Sequence, residues 1–434
     1  MTKSDQVKKI VKNAKKVLSS KSNFKLLTRP KIIVNLAQQH FDAKTFNPRP
    51  GSTPGDVVFS LTNICNLSCP MCSINNIKAK CGQVPNFITF DEFKKFAELL
   101  AAATRLSFMG FIGESILNPD FFKIISYLKK EYKTFLHIST NGNGLNEKVQ
   151  DQMLAVGFDS ITFSIHGFSP ESYKTLQAGS LDLVKKNLAR LLTRRKELKL
   201  KVPYVTVVFA LNRANIDEAQ QMLEWVAGLG ADAFHVYHFH DYTPTLKGLI
   251  FKKEEYPEIN KKIDALYEYA QLKGWLNLLP PQKPYFKEDA LEQEKGIVKC
   301  DRPWKGFQMR SSFSHKDCYY MGVCNVFNSF LFNYKEHLEK YGKLDFQKIW
   351  QHPVLQYLRQ TSNSAGPKPV NPLCAYCKSS KRKYLKNTDN AANYKAKLEA
   401  IDGFFKGFKK EYPNFEEVGG VQMLYTEDDE LALN

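Results

Sequence analysis

Long apolar runs are absent from this 434-residue chain. No stretch approaches the roughly 18 uncharged residues that a membrane span needs, and the amino terminus lacks the apolar centre of a secretory signal. Both absences point to the cytoplasm, a reducing compartment where clustered cysteines bind metal or act in catalysis before they pair as disulfides. Acidic side chains are nearly missing from residues 1–31, where Asp5 stands alone against ten Lys and Arg. The rest is ordinary globular composition, with 43% hydrophobic and 24% charged residues. That excludes global disorder and repetitive fibres, and the length leaves room for about two or three domains.

The net charge of +18 is unevenly spread: residues 1–31 carry +9, and the other 403 residues supply the remainder. Val7, Ile10, Val11, Ala14, Val17 and Leu18 recur at helical spacing, opposite Lys8, Lys9, Lys12, Lys15 and Lys16. Such a basic amphipathic helix suits an anionic partner or a membrane surface; it equally suits packing on the body with its lysines in solvent. With half the charge in one segment and the rest spread over 403 residues, no nucleic-acid partner is expected for the body. A second basic cluster, Lys378, Lys381, Arg382, Lys383 and Lys386, precedes a tail (412–434) with six acids and no bases. The tail is expected either to be loosely ordered or to fold back on that cluster.

From residue 55 to 240, short β-like runs alternate with helical patterns. The strands are expected at Val57–Leu61, Arg105–Met109, Thr134–Ser139, Ser160–Ile165, Pro203–Ala210 and Ala233–Tyr237. Helices are expected at Phe90–Ala103, Phe121–Lys130, Glu147–Val156, Leu181–Leu200 and Asp217–Gly228. Six strands with intervening helices predict parallel βα units in a partial (β/α)6 TIM-like barrel, with chemistry just after each strand. The expected organisation is α/β: a basic helical extension (1–54), the barrel (55–240) and a linker with one helix near Lys253–Leu272 (241–299). A small Cys-rich module (300–380) and a C-terminal helix with the acidic tail (381–434) complete it.

Cys65, Cys69 and Cys72 follow the first strand in Cys-Asn-Leu-Ser-Cys-Pro-Met-Cys. Pro70 disfavours a helical Cys69, so the segment reads as a wrapping loop. Three thiolates within eight residues can reach one small inorganic cluster. A cubane takes four cysteines, so three leave one iron open for chemistry. Structural zinc is the alternative, but it wants four nearby ligands, and the next cysteine, Cys81, is nine residues on.

This loop after the first strand resembles the C-x3-C-x2-C signature of the radical S-adenosylmethionine (SAM) superfamily. Ile112-Gly113-Glu114-Ser115, after the second strand, is similar to that family's Gly-Gly-Glu-Pro segment, keeping the Gly-Glu pair. Ser139-Thr140-Asn141-Gly142 and Ser164-Ile165-His166-Gly167 follow the third and fourth strands as its Thr-Asn-Gly and Ser-Ile-Asp-Gly do, with His166 replacing the aspartate. Gln177 stands where many relatives have arginine. The resemblance covers about residues 55–240. It implies a SAM-binding [4Fe–4S] cluster on Cys65, Cys69 and Cys72, and SAM contacts from Met71, Gly113, Glu114, Thr140, Asn141 and Ser164. It further implies a flavodoxin- or ferredoxin-like reducing partner and cleavage of SAM to a 5′-deoxyadenosyl radical that abstracts hydrogen from an unactivated carbon.

Cys300-Asp-Arg-Pro-Trp304, then Cys318, Cys324 and Cys374-Ala-Tyr-Cys377, resembles the SPASM/twitch extension of the same superfamily. Five cysteines cannot supply the seven of the full SPASM form. The resemblance implies one auxiliary [4Fe–4S] cluster on Cys300, Cys318, Cys374 and Cys377, with Cys324 competing for the place of Cys318. A zinc ribbon is the alternative. Trp304 and Trp350 are expected in the core of this module.

The sixth strand ends in Phe234-His-Val-Tyr-His-Phe-His-Asp241. Strand alternation puts His235, Tyr237 and Phe239 on one side and His238 and His240 on the other. His235, Tyr237 and Asp241 are the candidate catalytic residues, as proton acceptors for a substrate radical; ordinary strand-end histidines are the alternative. The expected function is modification of a peptide or protein side chain. The runner-up is the same chemistry on a sugar, nucleotide or alcohol, and the non-enzymatic alternative is an iron–sulfur electron carrier or scaffold.

Overall fold

A computed structural model describes residues 30–72, 84–109, 113–239, 244–286, 300–311, 318–323, 330–363, 365–375, 390–413 and 421–423. The basic segment 1–29, Cys81, His240, Asp241, Cys324, Cys377 and the cluster Lys378–Lys386 lie outside the described residues. Six parallel strands appear where alternation placed them: β1 (Asp56–Phe59), β2 (Arg105–Met109), β3 (Phe135–Thr140), β4 (Ser160–Ser164), β5 (Tyr204–Leu211) and β6 (Ala233–His238). Neighbours pair in order from β1 to β6.

Three later strands and a short terminal one extend this sheet. β7 (Gly306–Ser311) runs parallel to β1, with Val58 opposite Gln308. β8 (Cys318–Gly322), β9 (Phe330–Asn333) and β10 (Val421–Met423) then add antiparallel strands. The Cys-rich segment therefore shares the barrel's sheet instead of hanging from it. Residues 421–423 of the acidic tail form a strand on that sheet, which corrects the expectation of loose order there; its acidic residues and the basic cluster lie outside the described residues.

The register sorts the side chains by chemistry. On one face Val57, Leu106, Leu136 and Phe108, Ile138, Ile161, Val205 lie in rows, all buried beneath the helices. Full burial of such side chains contributes about 1.5–3 kcal/mol each, which fixes the register. On the other face the rows read Ser107–His137–Ser160 and Ser139–Thr162–Thr206, and then Ser164–Val208–His235. This inner face is polar: Ser107, His137, Ser160 and Thr206 are buried on it, and Ser139, Thr162 and Ser164 half-buried.

The helices differ from expectation at their ends. Phe90–Ala103 is two helices, Phe90–Lys94 and Ala97–Ala102, with Phe93 and Phe96 both packed edge-on to Phe59. Phe121–Lys130 passes into a π turn over Leu128–Tyr132 before a left-handed Lys133.

Trp304 and Trp350 are fully buried, as expected, and both indoles reach the chain ahead of the barrel. Trp304 Nε1 donates to Asn47 O (2.8 Å) and Trp350 Nε1 to Ser52 O (2.7 Å). Between them Arg359, also fully buried, donates to Pro303 O (3.0 Å), Pro48 O (3.1 Å) and Trp350 O (2.9 Å). Its guanidinium lies 4.3 Å from the Trp350 ring centre. Burial pulls this guanidinium down to about 9. Together with the two indoles, Arg359 staples residues 47–52 to the Cys-rich segment. Arg359→Ala leaves three carbonyls unpaired at about 1 kcal/mol or more each. Calorimetry is expected to show the thermal midpoint lowered by roughly 5–10 °C; an unchanged midpoint would make the staple dispensable.

Candidate active site

The site lies at the carboxyl ends of the parallel strands, where open α/β sheets place their chemistry. Cys65, Cys69 and Cys72 occupy the loop after β1 and are half-buried. Cys72 N donates to Cys69 O (3.0 Å), turning the loop on itself, and Met71 N donates to Leu176 O (3.2 Å). Burial pushes the Cys69 thiol up to about 11. Iron binding would therefore release its proton. Among the described residues no three His, Cys, Asp or Glu side chains converge as a single metal ion requires. A cubane asks less convergence, since each thiolate binds a separate iron corner.

The Gly-Glu pair after β2 is held directly against this loop. Gly113 has φ of 102°, and a Cβ there would lie 2.6 Å from Thr62 O and 2.8 Å from Ile64 O. Only glycine fits such an approach. Next to it Glu114 N donates to Ile64 O (2.7 Å), one residue before Cys65. The Glu114 side chain is buried, 3% exposed. Its Oε2 accepts from Asn141 N (3.0 Å), and the Thr140 hydroxyl also bonds the carboxylate. Its Oε1 has no partner among the described residues. Burial pushes this carboxyl up to about 7, against the pull of the Asn141 and Thr140 bonds. A buried carboxylate oxygen left unmatched is costly, and an N–H of a bound amino group would satisfy it.

The third and fourth strand ends complete the rim. Asn141 Nδ2 donates to Asn66 Oδ1 (2.9 Å), joining the β3 end to the cysteine loop. Ser164 is half-buried on the inner face, opposite Val208. Gln177 is buried and fully engaged: Oε1 accepts from His166 N (2.7 Å), and Nε2 donates to Ser164 O (2.9 Å). It knits the β4 end together in place of an arginine. His166 is buried, its Nδ1 accepts from Ala210 N (3.2 Å), and burial holds it down to about 4. It stays neutral, with its proton on Nε2, and is no substitute for an acid.

On β6, His235 and Tyr237 share the inner face. Tyr237 packs edge-on to His166 at 6.1 Å, and burial lowers the His235 value, favouring neutral imidazole. Phe239 continues on that side, buried with Leu176 and Ala210, and Met71 packs against the three. His238 turns away, bonded to Pro284 O (2.8 Å) and stacked on Phe286 at 3.8 Å. Its role is to seat the linker. In the Cys-rich segment, Asn371 Nδ2 donates to Cys374 Sγ (3.5 Å); Cys300 is half-buried, and Cys318 begins β8.

The sequence motifs did not single out Asn143 and Ala178. Asn143 Oδ1 accepts from Ser180 N (2.9 Å), and Ala178 N donates to Cys69 Sγ (3.4 Å). The Asn-Gly-Asn-Gly run was a signal for the first, through side-chain-to-backbone turns. Nothing in the residue type marks the second, because a backbone N–H is the donor.

A parallel barrel with a three-cysteine loop after β1 and a buried glutamate after β2 is the frame of a SAM-binding iron–sulfur enzyme. Residues 59–226 match the family model described as the radical SAM superfamily, and this stretch is a radical SAM domain. The family uses a [4Fe–4S] cluster and SAM. The chain is similar to a PqqA peptide cyclase of Ruegeria pomeroyi, 28% identical over 52% of this chain and 59% of the relative. It is similar to a probable GTP 3′,8-cyclase of Methanococcus maripaludis, 26% identical over 43% of this chain and 60% of the relative. The chain spans about half the length of the curated relatives it matches. In fold it is similar to Streptococcus suis SuiB bound to precursor peptide SuiA, with a TM-score of 0.51 and 13% identity over 75% of this chain and 70% of that one. Among the described residues no helix is long and apolar enough to cross a membrane.

Proposed function

We propose that this protein is a radical SAM enzyme that reductively cleaves SAM and abstracts hydrogen from a peptide or protein side chain. The unpaired Glu114 Oε1, buried beside the cysteine loop, carries the reading. Cys65, Cys69 and Cys72 would hold the cluster. Glu114 would accept the SAM amino group, with Thr140 and Asn141 holding the other carboxylate oxygen in place. Gly113, Met71 and Ser164 would frame the remainder. When bound, the cluster and SAM supply one-electron cleavage of a carbon–sulfur bond and a carbon radical able to take hydrogen. The polar inner wall positions the substrate carbon, and His235 and Tyr237 face the same space as candidate proton acceptors. Asp241 remains a third candidate.

Similarity to a peptide cyclase supports the peptide class; similarity to a GTP cyclase supports a small-molecule runner-up. Incubation of the reduced enzyme with a perdeuterated peptide pool is expected to move deuterium into 5′-deoxyadenosine. Transfer only from a nucleotide or metabolite pool would move the assignment to the runner-up. A flavodoxin- or ferredoxin-like protein would be the electron donor, and the basic segment 1–31 a dock for an anionic partner or membrane surface.

We further assign one auxiliary [4Fe–4S] cluster to Cys300, Cys318, Cys374 and Cys377, with Cys324 as competitor. Anaerobic reconstitution is then expected to give about eight irons per chain, the sum of two cubanes. Close to four, or zinc in place of the second set, would remove the auxiliary cluster from this account.

A further inference from the structure

The turn at residues 176–180 meets the cysteine loop at three points. Met71 N donates to Leu176 O (3.2 Å), and Ala178 N to Cys69 Sγ (3.4 Å). Gly179, at φ of 94°, packs so closely that a Cβ would lie 2.9 Å from the Leu67 side chain and 2.8 Å from Asn143 Oδ1. The turn is itself pinned from behind. Gln177 bonds Ser164 O and His166 N at the β4 end, Tyr173 OH donates to Ala178 O (3.3 Å), and Asn143 Oδ1 accepts from Ser180 N.

We propose that this turn is a clamp that positions the Cys69 sulfur and sets the reduction potential of the cluster held by the cysteine loop. The proposal rests on the cluster reading above and extends it to residues that touch neither SAM nor substrate. An N–H aimed at a ligand sulfur stabilises the extra negative charge of the reduced cluster and raises its potential. Gln177 makes the clamp responsive to the β4 end, because the residue holding Ser164 O also fixes the backbone that presents Ala178 N. Ala178 and Gln177 are thus positioning residues.

Ala178→Pro removes this N–H and sets the ring Cδ in its place, against Cys69 Sγ. Gln177 already has the extended ψ of 142° that a following proline requires. Ala178→Gly keeps the N–H, and Gln177→Leu keeps it while cutting both bonds to the β4 end. The experiment is an EPR-monitored potentiometric titration of the full reconstituted chain, following the signal that changes when SAM is added. Ala178→Pro is expected to lower the midpoint potential of the cluster it retains, and Ala178→Gly to match the unaltered protein. Gln177→Leu is expected to shift in the same direction as the proline variant and to decide the matter if that variant holds no iron. Midpoints for Ala178→Pro and Gln177→Leu equal to that of the unaltered protein would overturn the clamp alone. A signal in the unaltered protein that ignores SAM would instead overturn the cluster reading.

Discussion

The variant with Cys65, Cys69 and Cys72 all changed to alanine is expected to form no 5′-deoxyadenosine under dithionite, where the unaltered protein forms it continuously. The expectation follows from the division of labour among the cysteines. These three lie on one loop after β1, beside the buried Glu114, whereas Cys300 and Cys318 lie by β7 and β8 and Cys374 on the later helix Pro372–Ala375. The loop is held from outside by Glu114 N on Ile64 O and Met71 N on Leu176 O. These backbone bonds do not involve the thiols, so the fold should survive. Liquid chromatography of quenched reactions reads the product, and circular dichroism reads the fold. Equal turnover by the folded variant would refute the cluster assignment. Iron content should fall by about four per chain, leaving the auxiliary set.

Glu114→Gln should weaken SAM binding by about 10–100-fold, the equivalent of about 1.5–3 kcal/mol for a charge-assisted hydrogen bond. Glutamine keeps the bulk and one acceptor, so the loss isolates the charge. An ionised carboxylate is the better acceptor for the N–H groups of the bound amine, and in the ligand-free chain burial raises it to about 7. The Glu114 contribution to SAM affinity should therefore be level above about pH 7 and be lost below it, up to the loss seen in Glu114→Gln. Stability of the ligand-free chain should move in the opposite sense. The folded state holds this proton more tightly than the unfolded state, whose ordinary value is 4.5. The Glu114 contribution is thus fully present below that value and is lost as pH rises through about 7. Glu114→Gln should erase this decline, which calorimetry across pH 5–8 can follow. Equal SAM affinity and equal pH dependence in both proteins would remove Glu114 from the SAM site.

The barrel was legible because its pattern is strong. Leu106 and Phe108, and Leu136 and Ile138, alternate with polar neighbours, and each of the six barrel strands falls within two residues of expectation. The site was legible to the extent that it uses side chains of distinctive chemistry: the three cysteines, the Gly113-Glu114 pair and Asn141. Long-range contacts were not. That Trp304 and Trp350 would be buried could be read from their type, but nothing local says that their indoles seek Asn47 and Ser52, or that Arg359 joins them. The pairing of β7 with β1 joins residues about 250 positions apart, and no periodicity reports such a partner. His238 and His235 are neighbours in a His-rich run, yet one seats Pro284 and the other faces the interior. Alternation separated their sides without assigning their roles. Gln177 looked like a missing arginine, and it is a backbone brace.

The central claim is that the cysteine loop holds a cluster to which SAM binds through its amino group. Electron–nuclear double resonance on the dithionite-reduced protein, with SAM carrying 15N in that amino group, reads this contact directly. A 15N coupling to the cluster electron spin in the unaltered protein, lost in the triple cysteine variant, is the predicted result. A reduced cluster showing no 15N coupling, or the same coupling in the triple variant, would contradict it.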